Sequence, residues 1–318
     1  MKKIPVIAVF GLLLAGCQGA TSDAGGTPPP SAAANKGTVN LAINPWVGYE
    51  ANAAVIEYLL EKKLGYTVET KNLKEEISWQ GFETGEVDAI VENWGHDDLK
   101  KTYIEEKKVA VDAGPTGNTG VIGWYVPQWM ADQYPDITDW NNLNKYAGLF
   151  KTSESGGKGQ FLAGDPSFVT NDEALVANLK LNYKVVYSGS EAAIIKAAQQ
   201  ANAQKKPLLF YFYEPQWLFA KEKYARVKLP AYKAGCDADP KKVACDYPDY
   251  VLDKVVSKKF ADTGGAAYEL VKNFKWTNDD QNLVSDYITN QGLSAEKAAE
   301  KWVAEHEATW KPWIPAGS

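Results

Sequence analysis

Five large aromatic residues stand within or just beyond short apolar runs: Trp46, Trp94, Trp124, Phe168 and Tyr213. Trp46 follows Val39-Asn-Leu-Ala-Ile43, Trp94 ends Val-Asp-Ala-Ile-Val-Glu-Asn-Trp94, and Tyr213 ends Leu-Leu-Phe-Tyr-Phe-Tyr213. Trp124 lies in Gly-Val-Ile-Gly-Trp124, and Phe168 in Gly-Asp-Pro-Ser-Phe168. Rings gathered at one place attract a diffuse positive charge through their negative faces. A quaternary ammonium has no N–H to donate, so ring faces are the recognition it can use, at roughly 0.5–2 kcal/mol per ring. A few rings then supply much of the about 8 kcal/mol that micromolar binding needs. If such a ligand also carries a carboxylate, that end needs donors. His96 is one candidate. The backbone N–H groups of Val169 and Thr170 are others, provided a helix opens at Asn171 and its dipole supports an anion there. Trp276, Trp302, Trp310 and Trp313 fall in the C-terminal region and read as packing.

Catalytic constellations are harder to assemble. Only His96 and His306 are available as imidazole bases, and no nucleophile elbow, zincin motif or phosphate loop occurs. Ser153-Glu-Ser-Gly-Gly-Lys-Gly159 lacks the Lys-Ser/Thr ending of a phosphate loop and reads as a mobile surface loop. Glu92 and Glu214 could imitate the carboxylate pair of a glycosidase, and aromatic rings also stack on sugars. A sugar-binding protein or a hydrolase therefore stays open as an alternative. With Arg226 the single arginine, the donor set of a sugar site is poor. No cofactor or metal is indicated, and the reading is of a binding protein, not an enzyme.

The elements that must carry these residues alternate between strand and helix. Val39–Ile43 reads as a buried strand, residues 55–64 as a helix stopped by Gly65, and Thr67–Thr70 as a second strand, a βαβ unit that implies a parallel sheet. A helix over Ser78–Thr84 and strands Val87–Glu92 and Gly120–Val126 follow. A second set comprises strand Gly148–Lys151, helix Asn171–Leu181, strand Lys184–Tyr187, helix Glu191–Lys205 and strand Leu208–Tyr213. Beyond Pro230 the sequence predicts a cysteine loop and helices over Asp262–Phe274, Asn278–Asn290 and Ala295–Thr309. Open α/β sheets bind ligands at the carboxyl ends of their strands, so the loops after Ile43, Glu92, Lys151 and Tyr213 are the expected site.

The N-terminal end carries an address. Lys2 and Lys3 precede an apolar run over Ile4–Leu14, too short to span a bilayer, which ends in Leu14-Ala15-Gly16-Cys17. This resembles a lipoprotein signal with Cys17 as the lipidated residue, followed over 18–37 by a flexible tether of small residues. The expected location is the extracytoplasmic face of a membrane. Cys236 and Cys245 are the other two cysteines; outside the cytoplasm they are expected to pair as a disulfide. The formal net charge of −6 and the absence of a basic tract argue against nucleic acid as a partner.

Four strings carry a resemblance that covers nearly all of the chain beyond the tether: Trp46-Val-Gly-Tyr49, Gly85-Glu-Val-Asp-Ala-Ile-Val-Glu-Asn-Trp94, Gly123-Trp-Tyr-Val-Pro127 and Tyr213-Glu-Pro-Gln-Trp217. In this order they resemble the substrate-binding proteins of ABC importers for glycine betaine, proline betaine and choline. The resemblance implies an α/β, two-lobed class II periplasmic-binding-protein fold. Each lobe would be a mostly parallel sheet flanked by helices, with the ligand in the interlobe cleft. It implies lobe 1 from 38–122 and 232–315, lobe 2 from 123–231, and closure about segments near Trp124 and Leu229–Pro230. The implied partners of this monomer are a small quaternary amine, glycine betaine first and choline or carnitine next, and an ABC permease in the membrane. Trp94 and Tyr213 match box aromatics, Trp46 matches one of the choline-binding branch, and Phe168 falls where some members have Trp. Where some relatives place a carboxylate-binding histidine this chain has Asp98, and His96 lies two residues earlier. That departure leaves betaine and choline both open.

Overall fold

The protein is described by a computed structural model over residues 36–168 and 170–318. The leader, Cys17, nearly all of the tether, and Val169 lie outside the described residues. Nine strands form one sheet: β1 (Thr38–Ile43), β2 (Thr67–Asn72), β3 (Ala89–Asn93), β4 (Ala110–Pro127), β5 (Gly159–Ala163), β6 (Tyr183–Tyr187), β7 (Phe210–Glu214), β8 (Tyr224–Arg226) and β9 (Asp249–Ser257). Their order is β2-β1-β3-β9-β4-β7-β5-β6, with β8 beside β4. β2, β1 and β3 run parallel, as do β7, β5 and β6. Antiparallel β9 and β4 join these two halves.

Each half repeats the same plan, a β-α-β-α-β run whose first strand sits in the middle. The first run passes through helices Val47–Leu59 and Glu75–Thr84, the second through Asp172–Asn178 and Glu191–Gln204. Parallel neighbours require such crossovers. A 2-1-3 strand order also creates a switch point at the carboxyl end of the middle strand, where successive connections diverge to opposite sides. β1 ends at Ile43 and β5 at Ala163, so the loops bearing Trp46 and Phe168 start at the two switch points.

Three expectations about elements are corrected. Residues 147–150 form a helical turn and not a strand; the strand of that region is β5, hidden directly behind the Gly- and Ser-rich loop. Strand β4 is far longer than Gly120–Val126, because its first half pairs with β9 and its second with β7. β9 itself lies between the cysteine loop and the helix expected from Asp262, where no strand was expected, since Asp253 and Lys254 interrupt its apolar pattern. Both charges are partnered. Lys254 is fully buried and its Nζ donates to the carbonyl oxygens of Pro115, Lys272 and Phe274. Asp253 accepts from Asn93 Nδ2 and from Lys100.

The core runs through both halves and buries Trp79, Trp124, Trp217 and Trp302 almost completely. Trp276, Trp310 and Trp313 are also buried. Cys236 and Cys245 are joined as a disulfide, with Cα atoms 6.4 Å apart. Among the described residues no helix is long and apolar enough to cross a membrane.

Candidate ligand-binding site

Between the two halves lies a cavity lined by Trp46, Glu75, Trp94, His96, Ile122, Phe168, Tyr211, Tyr213 and Tyr250. Trp46 ends the loop after β1, where Asn44 is pinned by donating through Nδ2 to Leu73 O and Ser78 Oγ, both at 2.9 Å. Trp94 follows β3, and β4 passes beneath it at Gly120. A Cβ at residue 120 would stand 2.5 Å from the Trp94 ring, so glycine makes room for the indole. Tyr211 and Tyr213 lie two apart on β7 and share a face. The rings meet edge to face: Trp46 and Phe168 at 5.8 Å and 89°, Trp94 and Tyr213 at 5.4 Å and 83°, Trp94 and Tyr250 at 5.8 Å and 61°. Near-perpendicular rings build the walls of a box, whereas parallel stacking would fill the space between them. A second, larger groove opens beyond Trp46, but no aromatic ring besides Trp46 and Trp217 lines it.

Buried carboxylates hold the rings from behind. Glu92 Oε1 accepts from Trp46 Nε1 at 2.7 Å and from Trp94 Nε1 at 2.8 Å. Its other oxygen accepts from Asn52 Nδ2 and from Gln281 Nε2. An indole has one donor and no acceptor, so this arrangement spends the polar edge of both tryptophans away from the cavity. Burial pushes the Glu92 carboxyl up to about 7, against the lowering effect of those donors. Glu191 plays the same part for Tyr213, whose hydroxyl donates to it, and burial likewise raises it to about 7.

The polar end of the cavity is His96 with Glu75. His96 has a left-handed backbone, φ 53°, that turns the chain from β3 into helix Asp97–Lys100. Its Nε2 lies 3.4 Å from Glu75 Oε1, at ion-pair distance. Burial pulls the imidazole pKa down, but Glu75, Asp98 and Glu76 together outweigh it and hold the group above its ordinary value. When protonated, the imidazole donates from both nitrogens.

This geometry agrees with the comparison against known proteins. Residues 37–305 match the family described as the substrate binding domain of ABC-type glycine betaine transport system. The chain belongs to that family. It is a substrate-binding protein of an ABC transporter and not an enzyme. It is similar to a trimethylamine N-oxide-binding protein of Pelagibacter ubique, 24% identical over 302 residues, covering 89% of this chain and 92% of the relative. Among solved structures, it resembles lactococcal OpuAC complexed with glycine betaine (TM-score 0.67, 24% identity, 88% of this chain and 100% of the other). It also resembles a choline-binding protein in complex with choline (TM-score 0.71, 18% identity, 87% and 91%). The two-lobed α/β fold of these proteins is the fold described above.

Within the substrate-binding protein, the aromatic residues expected from sequence divide. Trp46, Trp94, Phe168 and Tyr213 come together on the cavity, and His96 joins them. Trp124 does not. It shares the face of β4 with Ile122 but stands about 7 Å further along the strand, packed at 4.3 Å on Phe161 with Nε1 donating to Asp172. Thr170 is not on the cavity either; it lies beside Asp172, the carboxyl that opens the next helix. Asn171 N donates to Tyr247 Oη, and Asp172 stands in the first turn of that helix. Asp98 is exposed and is not among the residues that line the cavity. Glu92 is buried behind the rings while Glu214 is exposed, so no glycosidase pair forms. Sequence reasoning missed Tyr211, Tyr250 and Glu75. Period two from Tyr213 could have found Tyr211, but Tyr250 was hidden with β9.

Proposed function

We propose that the cavity takes a small trimethylammonium zwitterion, glycine betaine first, and that the protein delivers it to its permease. The observation that carries this is the shared carboxylate: Glu92 occupies both indole N–H groups, so Trp46 and Trp94 offer the cavity π-surface without donors. Such a wall favours a methylated cation over an ammonium, which would leave its own N–H groups unpaired. The His96–Glu75 pair is close to neutral overall as imidazolium and carboxylate, which suits a ligand whose charges also cancel, and His96 Nε2 is the donor for its anionic oxygen. Choline is the second reading, favoured by Glu75, which can accept from a hydroxyl. The oxide of trimethylamine N-oxide could take the same donor as a carboxylate, and a relative bears that ligand's name.

Calorimetry of the purified protein with glycine betaine, choline, carnitine, trimethylamine N-oxide and a sugar panel tests this. Glycine betaine should bind tightest, and His96→Ala should weaken it about 10- to 100-fold while sparing choline. Binding of betaine should also weaken as pH rises through the His96 pKa. A sugar response, or silence with every methylated amine, would sink the reading. The lobe boundaries, 38–122 with 232–315 and then 123–231, are supported by β4, which changes partner from β9 to β7 at Val121. Membrane tethering at Cys17 is part of the same proposal. Mass spectrometry of the N-terminal peptide from exported protein should find a lipid on that residue.

A further inference from the structure

Helix Val47–Leu59 has no side-chain cap of its own, because its N-cap residue is Trp46 and an indole offers no acceptor. The N–H of Val47, one of the unpaired donors that open a helix, is satisfied from the other half of the sheet. Glu191 Oε2 accepts it at 2.8 Å. Glu191 is not needed to cap its own helix, where Ser190 Oγ already accepts from Ala193 N. Its second oxygen accepts from Tyr213 Oη and Gln216 Nε2. A single carboxylate, 7% exposed, thus ties the helix start next to Trp46 to the strand that carries Tyr213. Glu92 differs in this respect. Its donors Trp46, Asn52, Trp94 and Gln281 all lie on or against the first half.

We propose that Glu191 is a positioning residue that caps the Val47 helix in trans and so latches the two halves over the ligand. When the halves part, the Val47 N–H and the carboxylate return to water. When they meet, water is exchanged for a buried hydrogen bond at a helix N-terminus, where the dipole favours a carboxylate acceptor. Since Trp46 adjoins Val47 and Tyr213 shares the carboxylate, the bond forms where both rings stand in their cage positions. The latch therefore acts on ligand release more than on capture. This rests on the reading that a ligand is held between the halves.

Val47→Pro removes the donor selectively. Residue 47 is the first of its helix, where proline is well accommodated, and Trp46 has φ −141° and ψ 149°, the extended conformation that a residue before proline prefers. Glu191→Gln removes the charge from the other side. Stopped-flow tryptophan fluorescence with glycine betaine, or with choline should betaine not bind, should show each variant releasing ligand about 10-fold faster. For Val47→Pro, association should change little and the ligand-free melting temperature should hold. The double variant should release no faster than the worse single one. Unchanged release in folded variants, or losses that multiply in the double variant, would overturn the latch. Should the wild type bind no methylated amine at all, the functional reading fails and small-angle scattering judges the latch separately. Both variants are then expected to be more extended than the wild type, and identical scattering overturns it.

Discussion

At the scale of residues, the cage depends on groups that never touch its contents. Four donors converge on the two oxygens of Glu92: two indoles, an asparagine and a glutamine. A glutamine at this position has one acceptor oxygen and turns an amine toward donors. Glu92→Gln is therefore expected to leave a buried donor unpaired and to free the indoles to tilt. Affinity for the ligand should drop about 10- to 100-fold, the counterpart of ~1–3 kcal/mol for an orphaned donor. Calorimetry beside Trp94→Ala checks this, and an affinity equal to the wild type would show that packing alone sets the ring angles. Trp46, Trp94 and Tyr213 were legible from sequence because each closes or follows an apolar run, and Phe168 because its Gly-Asp-Pro-Ser loop marks a turn. Trp124 satisfies the same rule and is still a core residue, since a residue's distance along a strand from the cleft is not written in its local pattern.

At the scale of elements, close approach decides what fits. β4 runs under Trp94, and Gly120 is the position where a side chain would collide: its Cβ would meet Trp94 at 2.5 Å and Leu252 at 2.9 Å. Gly120→Ala should preserve the fold and push the indole out of the cage, weakening ligand binding roughly 10-fold, within the ~1–3 kcal/mol typical of overpacking. Titration calorimetry together with a circular dichroism melt separates that result from general unfolding. Strands β1, β6 and β7 were readable because their apolar runs are short and bounded by turn residues. β9 was not, because Lys254 is buried with its charge satisfied by three carbonyls from distant parts of the chain. A local pattern cannot announce partners that far away.

At the scale of the whole molecule, two 2-1-3 parallel units meet through β4 and β9, so their switch points face one space. Folding also buries carboxylates there, and this makes stability depend on pH. Burial raises Glu92 and Glu191 to about 7 and Asp172 to about 6. A carboxyl whose pKa rises on folding contributes stability in full below its unfolded value and loses it as pH climbs through the folded one. His96, held high by its carboxylate neighbours, has the same sign. Lys254 has the opposite sign: burial lowers it to about 7, so its share is complete above its ordinary value and is lost as pH falls toward 7. Melting temperatures measured across this range should fall from acid toward neutral pH and recover above it. A rise from about 4.5 to 7 would contradict the assignment, since Glu92 and Glu191 shift across that window.

The alternation of strands and helices in each half, the aromatic loops and the pairing of the two later cysteines follow from sequence, because periodicity, turn residues and spacing are local properties. The resemblance of four short strings to a transport family was equally local, and the family match over 37–305 bears it out. Only the tertiary structure decided which rings line the cavity, that Glu75 stands beside His96 there, and that Glu92 and Glu191 accept from the ring donors behind it. The bonds of Glu92 to Trp46 and of Glu191 to Val47 join residues separated by 46 and 144 positions. Their energies come from burial and hydrogen-bond partners that exist only after the two halves have come together.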